Sequence, residues 1–292
     1  MIKLSLDFNL LNDSYYFYER LLVILFSIIT SLILVGYVLY SDRKSKEPVK
    51  NIVICLLSGI LTIALASYLE GIAAKSVSGP LLTYICAFIE EASKIAIFLL
   101  FIFDNKHYDD IYDGIVYMML IALSFAGLEN VMYAFTESTI SKSISLALIR
   151  DFTTIPLHVI CGIVIGYFMS LSSFSKDKTQ KYKNLCFALL IPGLIHGTYN
   201  LFMSIFKNYD DYFSVLLFET LPILLIMLIL IYTAVKLSKK NQYLNNIYIT
   251  DGTYDNKHKY LMTKSEYNGS SNRSKRIIMY EKTSLKGGKQ WC

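Results

Sequence analysis

Phe88-Ile89-Glu90-Glu91-Ala92-Ser93-Lys94 stands in the middle of an apolar run over residues 80–103. A helix crosses a bilayer with about 20 predominantly apolar residues, so the run is long enough to span. Each charge inside it costs roughly 2.5–3.5 kcal/mol on insertion scales, which a chain tolerates where the charge is used. On a helix Glu90 and Lys94 share one face at a spacing of four, and Glu91 reaches Lys94 at a spacing of three. Pairing of this kind lowers the cost of carrying all three.

Six more runs of span length flank this one, over residues 21–40, 52–69, 114–135, 152–171, 185–206 and 213–235. The 292-residue chain is 54% hydrophobic and only 17% charged, with the charges gathered between the runs. Its mean hydropathy of +0.45 excludes an ordinary soluble domain. Short connections and self-satisfied backbones predict an all-α, polytopic transmembrane helical bundle of about seven helices with a polar cytoplasmic tail. The expected organisation is an extracytoplasmic N-terminus over 1–20, a membrane core over 21–236 and a polar, basic tail over 237–292. No internal repeat marks a transporter of duplicated halves.

Basic residues orient the bundle. Arg43, Lys44, Lys46 and Lys50, then Lys176, Lys178, Lys181 and Lys183, then Lys236, Lys239 and Lys240 all fall on one side of seven spans. The other side has scattered positives such as Lys75, Lys142 and Lys207. The positive-inside rule therefore predicts the N-terminus outside and the tail cytoplasmic. Residues 1–20 contain Asp7, Asp13 and Glu19 against Lys3 and Arg20, unlike the basic start of a secretory signal. The tail's positive charge suits contact with anionic lipid. It carries no nucleic-acid-binding motif, so no nucleic-acid partner is expected. Cys55, Cys86, Cys161 and Cys186 sit in predicted spans without a Cys-x-x-Cys spacing and read as small apolar residues.

Three further spans carry polar groups: Phe125 with Glu129 and Asn130, His158 with Gly162, and His196 with Asn200. With alternate spans running in opposite directions, Glu90, Glu129, His158, His196 and Asn200 fall roughly 9–15 Å below the outer surface at 1.5 Å per residue. Four successive helices thus offer polar groups at one level. A polar network that merely joins helices is the plain alternative. A proton-coupled transporter or channel would string such groups through several depths. A non-enzymatic immunity or sensing protein would have no need of the whole set.

Peptide hydrolysis needs a base for water, an acid for the leaving amine and donors for the oxyanion. Glu90 is the expected base, oriented by Lys94, with Glu91 as its support or as the acid. His196 and Asn200 are candidate oxyanion donors, and His158 and Glu129 help to hold the water. An alternative is zinc on His158, His196 and one of Glu129 or Glu90, with an open position for water. Cofactor use is therefore either none, with glutamate chemistry, or zinc.

Glu-Glu-x-x-Lys, Phe-x-x-x-Glu-Asn, His-x-x-x-Gly and His-x-x-x-Asn, in this order on successive spans, resemble the PrsW family of intramembrane proteases, within a wider group of CAAX-prenyl endopeptidases and bacteriocin-immunity-type membrane proteins. The resemblance runs over about residues 84–200. It implies a protease of the bacterial cell membrane that makes the site-1 cut in a single-span anti-sigma factor, on the extracytoplasmic side, before a second protease releases the sigma factor. By motif position it implies Glu90, Glu91, Glu129, His158 and His196 as catalytic, with Lys94, Phe125, Asn130, Gly162 and Asn200 in support.

Overall fold

The computed structural model describes residues 14–42, 47–175 and 177–206. Seven helices follow in order: α1 (Ser14–Ser41), α2 (Val49–Ala73), α3 (Gly79–Phe101), α4 (Ile111–Ala134), α5 (Ile140–Phe152), α6 (Thr154–Ser173) and α7 (Lys178–Phe206). No strand occurs among the described residues. The expected span over 213–235, the tail and residues 1–13 lie outside them.

Among the described residues, five stretches are long and apolar enough to cross a membrane: Phe17–Ser41, Val49–Ala73, Ile111–Ala134, Ile140–Ser173 and Lys178–Ser204. α3 has the length, and it is set apart by its interior Glu90, Glu91 and Lys94. The chain is a multi-pass membrane protein. In α4, 83% of the apolar window is buried, against 22% in α1 and 28% in α2 and α7. α4 is therefore the axis, and the outer helices turn leucines and isoleucines such as Leu32, Ile33 and Leu57 outward.

Small residues let the neighbours of α4 come close, as packing within lipid favours. A side chain on Gly166 would run into the backbone of Gly114 and Ile115, so α4 and α6 cross there nearly backbone to backbone. One turn and more along, a Cβ on Gly162 would lie 3.0 Å from Ala122 Cβ and 3.2 Å from Met118 O. Gly162 thus admits the neighbouring helix α4. At the α2–α3 turn Gly79 adopts φ +66°, a region that L side chains rarely enter, with Pro80 following at the first turn of α3.

Two boundaries differ from expectation for local reasons. Residues 104–113 were expected to be loop, yet α4 starts at Ile111 because Asp110 and Asp113 form a capping box. Asp110 Oδ1 accepts from Tyr112 N at 2.6 Å and Asp113 N at 3.0 Å. The connection before the fifth expected span folds as the amphipathic α5, capped by Thr139 and closing its inner face with Ser143, Ala147 and Asp151. The α1–α2 connection buries Glu47, whose carboxylate accepts a hydrogen bond from Tyr117 of α4. Asn51 Nδ2 donates to the same tyrosine oxygen at 2.9 Å. Burial pushes the Glu47 carboxyl up to about 7; Asp42 and Asp110 add to the effect, and hydrogen bonds to Tyr117 and Asp113 oppose it.

Candidate active site

α3 supplies the floor of the site. Glu91 and Lys94 are completely buried, and Lys94 Nζ lies 2.8 Å from Glu91 Oε1. The same ammonium is 2.9 Å from His158 Nδ1 on α6 and 4.4 Å from the centroid of the Phe125 ring on α4. Lys94 therefore grips Glu91 at a spacing of three. The expectation that it orients Glu90 is corrected: its ammonium reaches Glu91 on α3 and crosses to α6.

His158 is also completely buried. Its Nε2 is 3.0 Å from Glu129 Oε2, and Phe125 meets the ring edge-on with centroids 5.2 Å apart. An ammonium has no acceptor, so Nδ1 of His158 accepts from Lys94 and the ring proton sits on Nε2, donated to Glu129. Glu129 Oε2 also accepts from Arg150 Nη2 at 2.7 Å. That guanidinium stacks over the Tyr133 ring, 4.0 Å from its centroid.

His196 on α7 stands perpendicular to His158, ring centroids 4.9 Å apart. Its Nδ1 is 2.7 Å from Glu91 Oε1, and its Nε2 is 3.8 Å from Glu90 Oε2. Donation from Nδ1 to the carboxylate leaves the Nε2 lone pair directed at Glu90. Glu90 Oε2 and Glu91 Oε2 are buried acceptors with no protein hydrogen-bond partner among the described residues. Glu90, Glu91, Lys94, Glu129, His158 and His196 thus form one cluster, built by four helices.

Two expected supporters stand elsewhere. Asn130 Nδ2 donates to Ser27 O at 3.0 Å, Ala147 O at 3.2 Å and Asp151 Oδ1 at 3.0 Å, tying α4 to α1 and α5. One residue past Glu129 is 100° round the helix, which turns Asn130 away from the histidines. Asn200 is half-buried and makes no side-chain hydrogen bond among the described residues, so its pairing with His196 as an oxyanion donor gains no contact here.

Two other residues were not foreseen. Arg150 reaches Glu129 from α5, a helix read as loop; the sequence signal was Thr139 followed by Ile140, Ile144 and Ala147 at helical spacing. Glu70, one residue past the expected end of the second span, belongs to the electrostatic surroundings of Glu90. An apolar groove of about 600 Å³ runs along the other side of α3, between Leu65 and Leu69 of α2, Phe88, Ile89 and Ala92 of α3, and Leu189 of α7.

Donor atoms of Glu90, Glu91, His158 and His196 all lie within 4.8 Å of one another, which raises the question of a metal. The donors do not fit the expected zinc set. Both nitrogens of His158 are engaged, by Lys94 and by Glu129, and Nδ1 of His196 is on Glu91. The Lys94 ammonium already stands within hydrogen-bond distance of two of the four groups, where a second cation would meet its charge. The free atoms that remain, Glu90 Oε2, Glu91 Oε2 and His196 Nε2, are acceptors suited to the hydrogens of water.

Residues 47–233 match the family described as "PrsW family intramembrane metalloprotease". The chain belongs to the PrsW family. It is an intramembrane protease, a peptidase of the membrane. It is 27% identical to "Protease PrsW" of Bacillus subtilis over 61% of this chain and 81% of that one. With "Protease PrsW" of Clostridioides difficile it shares 28% identity over 78% of this chain and 93% of the relative. With the Oceanobacillus iheyensis protein of the same name it shares 35% over 42% and 54%. No solved structure matches. The family's description includes a metal, and the His158–Lys94 contact is the feature of this chain that stands against one on that histidine.

Proposed function

We propose that this PrsW-family protease makes the first, extracytoplasmic cut in a single-span anti-sigma factor, using water activated by Glu90 without a metal. A second protease, acting in series, would then free the sigma factor. The motif resemblance supports the substrate class, and the distribution of basic residues supports an outer N-terminus and a cytoplasmic tail. One observation carries the chemistry: Glu90 Oε2, a buried acceptor with no protein hydrogen-bond partner among the described residues, stands 3.8 Å from His196 Nε2.

A water there donates one hydrogen to each acceptor. Its proton passes to Glu90 as the oxygen attacks the scissile carbonyl, and Glu90 returns that proton to the amine as the C–N bond breaks. Glu91 fixes the His196 tautomer, and Lys94 keeps Glu91 a carboxylate partner by holding it from the other side. Arg150 Nε, a buried donor with no protein partner among the described residues, is available to the oxyanion.

The test is co-expression with the anti-sigma factors of the same organism, comparing the native chain with Glu90→Gln, and then cleavage in detergent with and without chelator. Native cleavage that Glu90→Gln abolishes and chelator leaves intact is the expected result. Cleavage that chelator stops and zinc restores overturns the metal-free chemistry, and cleavage by Glu90→Gln removes Glu90 as base.

A further inference from the structure

Glu91 on α3 and His158 on α6 share one partner. Lys94 Nζ lies 2.8 Å from Glu91 Oε1 and 2.9 Å from His158 Nδ1, and those two atoms are 4.0 Å apart. All three side chains are completely buried. Glu90 and His196 complete the surroundings, and the two glutamates and two histidines have ligand atoms within 4.8 Å of one another. Buried carboxylates and imidazoles in such a group are the donors a divalent metal takes. Here an ammonium holds the place.

The dimensions favour the ammonium. A tetrahedral zinc keeps nitrogen and oxygen ligands at about 2.0–2.2 Å, which sets any two of them about 3.4 Å apart. Glu91 Oε1 and His158 Nδ1 stand wider than that, each at ordinary hydrogen-bond length from Nζ. The Phe125 ring covers another side, its centroid 4.4 Å from Nζ. An aromatic face attracts an ammonium and gives a metal no ligand atom. Arg150, the other cation of the site, is on Glu129.

We propose that Lys94 is a built-in cation seated where a divalent metal would otherwise bind, and that the cluster is a latent metal site opened by removing this side chain. The inference rests on the metal-free reading of the site and deepens it. The ammonium supplies the positive charge beside Glu91, and it engages the one nitrogen of His158 that Glu129 leaves. Without Lys94, Glu91 Oε1 and His158 Nδ1 lose their shared partner. Glu91 Oε2 has no protein partner among the described residues, and Glu90 and His196 stand beside it. These donors then surround a space from which the opposing charge has gone.

The test uses the full chain in lipid nanodiscs, stripped of metal by chelator and then given cobalt, whose visible absorption reports nitrogen and oxygen ligands. Lys94→Ala and Lys94→Ser should each bind one cobalt at least about tenfold more tightly than the native chain, since no fixed cation opposes it. His158→Gln in the same background should abolish the gain. Zinc should raise the melting temperature of the Lys94 variants and leave the native one unmoved. Should neither variant fold free of metal, zinc supplied during expression should recover folded protein, because binding then contributes to folding. Failure of that recovery overturns the inference, as does a folded variant that binds cobalt no better than the native chain. A gain that survives His158→Gln, on Asp109, Asp110 and Asp113 for instance, overturns it too. Cleavage by the native chain in chelator is measured apart. Cleavage with a failed cobalt test removes Lys94 from the metal's seat and leaves the metal-free protease standing. A cobalt gain without native cleavage leaves the latent site standing and sinks the protease chemistry.

Discussion

Lys94 Nζ lies 2.9 Å from His158 Nδ1, so a buried ammonium of α3 is held by an imidazole of α6. The contact fixes the His158 tautomer, aims its other nitrogen at Glu129 and joins two helices through Glu91. Lys94→Met would leave Glu91 buried without its cation. Breaking a buried pair from one side costs about 3–5 kcal/mol, so a large fall in melting temperature in detergent is expected. Lys94→Met with Glu91→Gln should regain much of that stability while cleavage stays absent. A double variant as unstable as the single one would show that the pair is not what Lys94 contributes.

Arg150 and Glu129, 2.7 Å apart with side chains 13% and 12% exposed, should be coupled in both stability and rate. Arg150→Gln and Glu129→Gln are each expected to lower cleavage strongly, and the double variant to cost less than their sum. A coupling of roughly 0.5–3 kcal/mol is the range for residues that share a network. Additive effects in the double-mutant cycle would mean that Arg150 acts apart from Glu129.

The bundle and most of the cluster were legible in the sequence because a charge inside an apolar run is conspicuous. Glu90, Glu91, Lys94, Glu129, His158 and His196 were all found that way, and the structure gathers them. Periodicity gives a residue's face but not its partner, so both glutamates were within reach of Lys94, and of the two spacings the shorter one, to Glu91, is the contact made. Asn130 was credited to the site through its adjacency to Glu129, although one residue along a helix is a quarter turn away. Arg150 was passed over because it sits outside the apolar runs, on a 13-residue helix too short to read as a span. Glu70 was hidden by the same habit, lying at a span end where a carboxylate looks like ordinary surface.

Glu47 gives the bundle a pH dependence remote from the catalytic cluster. Its carboxyl is pushed up to about 7 by burial, and its neighbours Asp42, Asp110 and Asp113 are acids as well. In the unfolded chain it titrates near the ordinary carboxylate value, so between the two values the folded state binds more protons. Stability from this group is therefore complete below the unfolded value and is lost as pH rises through about 7. At roughly 1.4 kcal/mol per unit of displacement the loss is at most about 3 kcal/mol. Glu47→Gln keeps a neutral acceptor for Tyr117 and has no proton to lose. Thermal melts of the native chain should decline from pH 5 to about 8, while those of Glu47→Gln should stay nearly flat over the same window. A parallel decline in both would assign the titration to another group, with Asp113 beside Glu47 the next to replace.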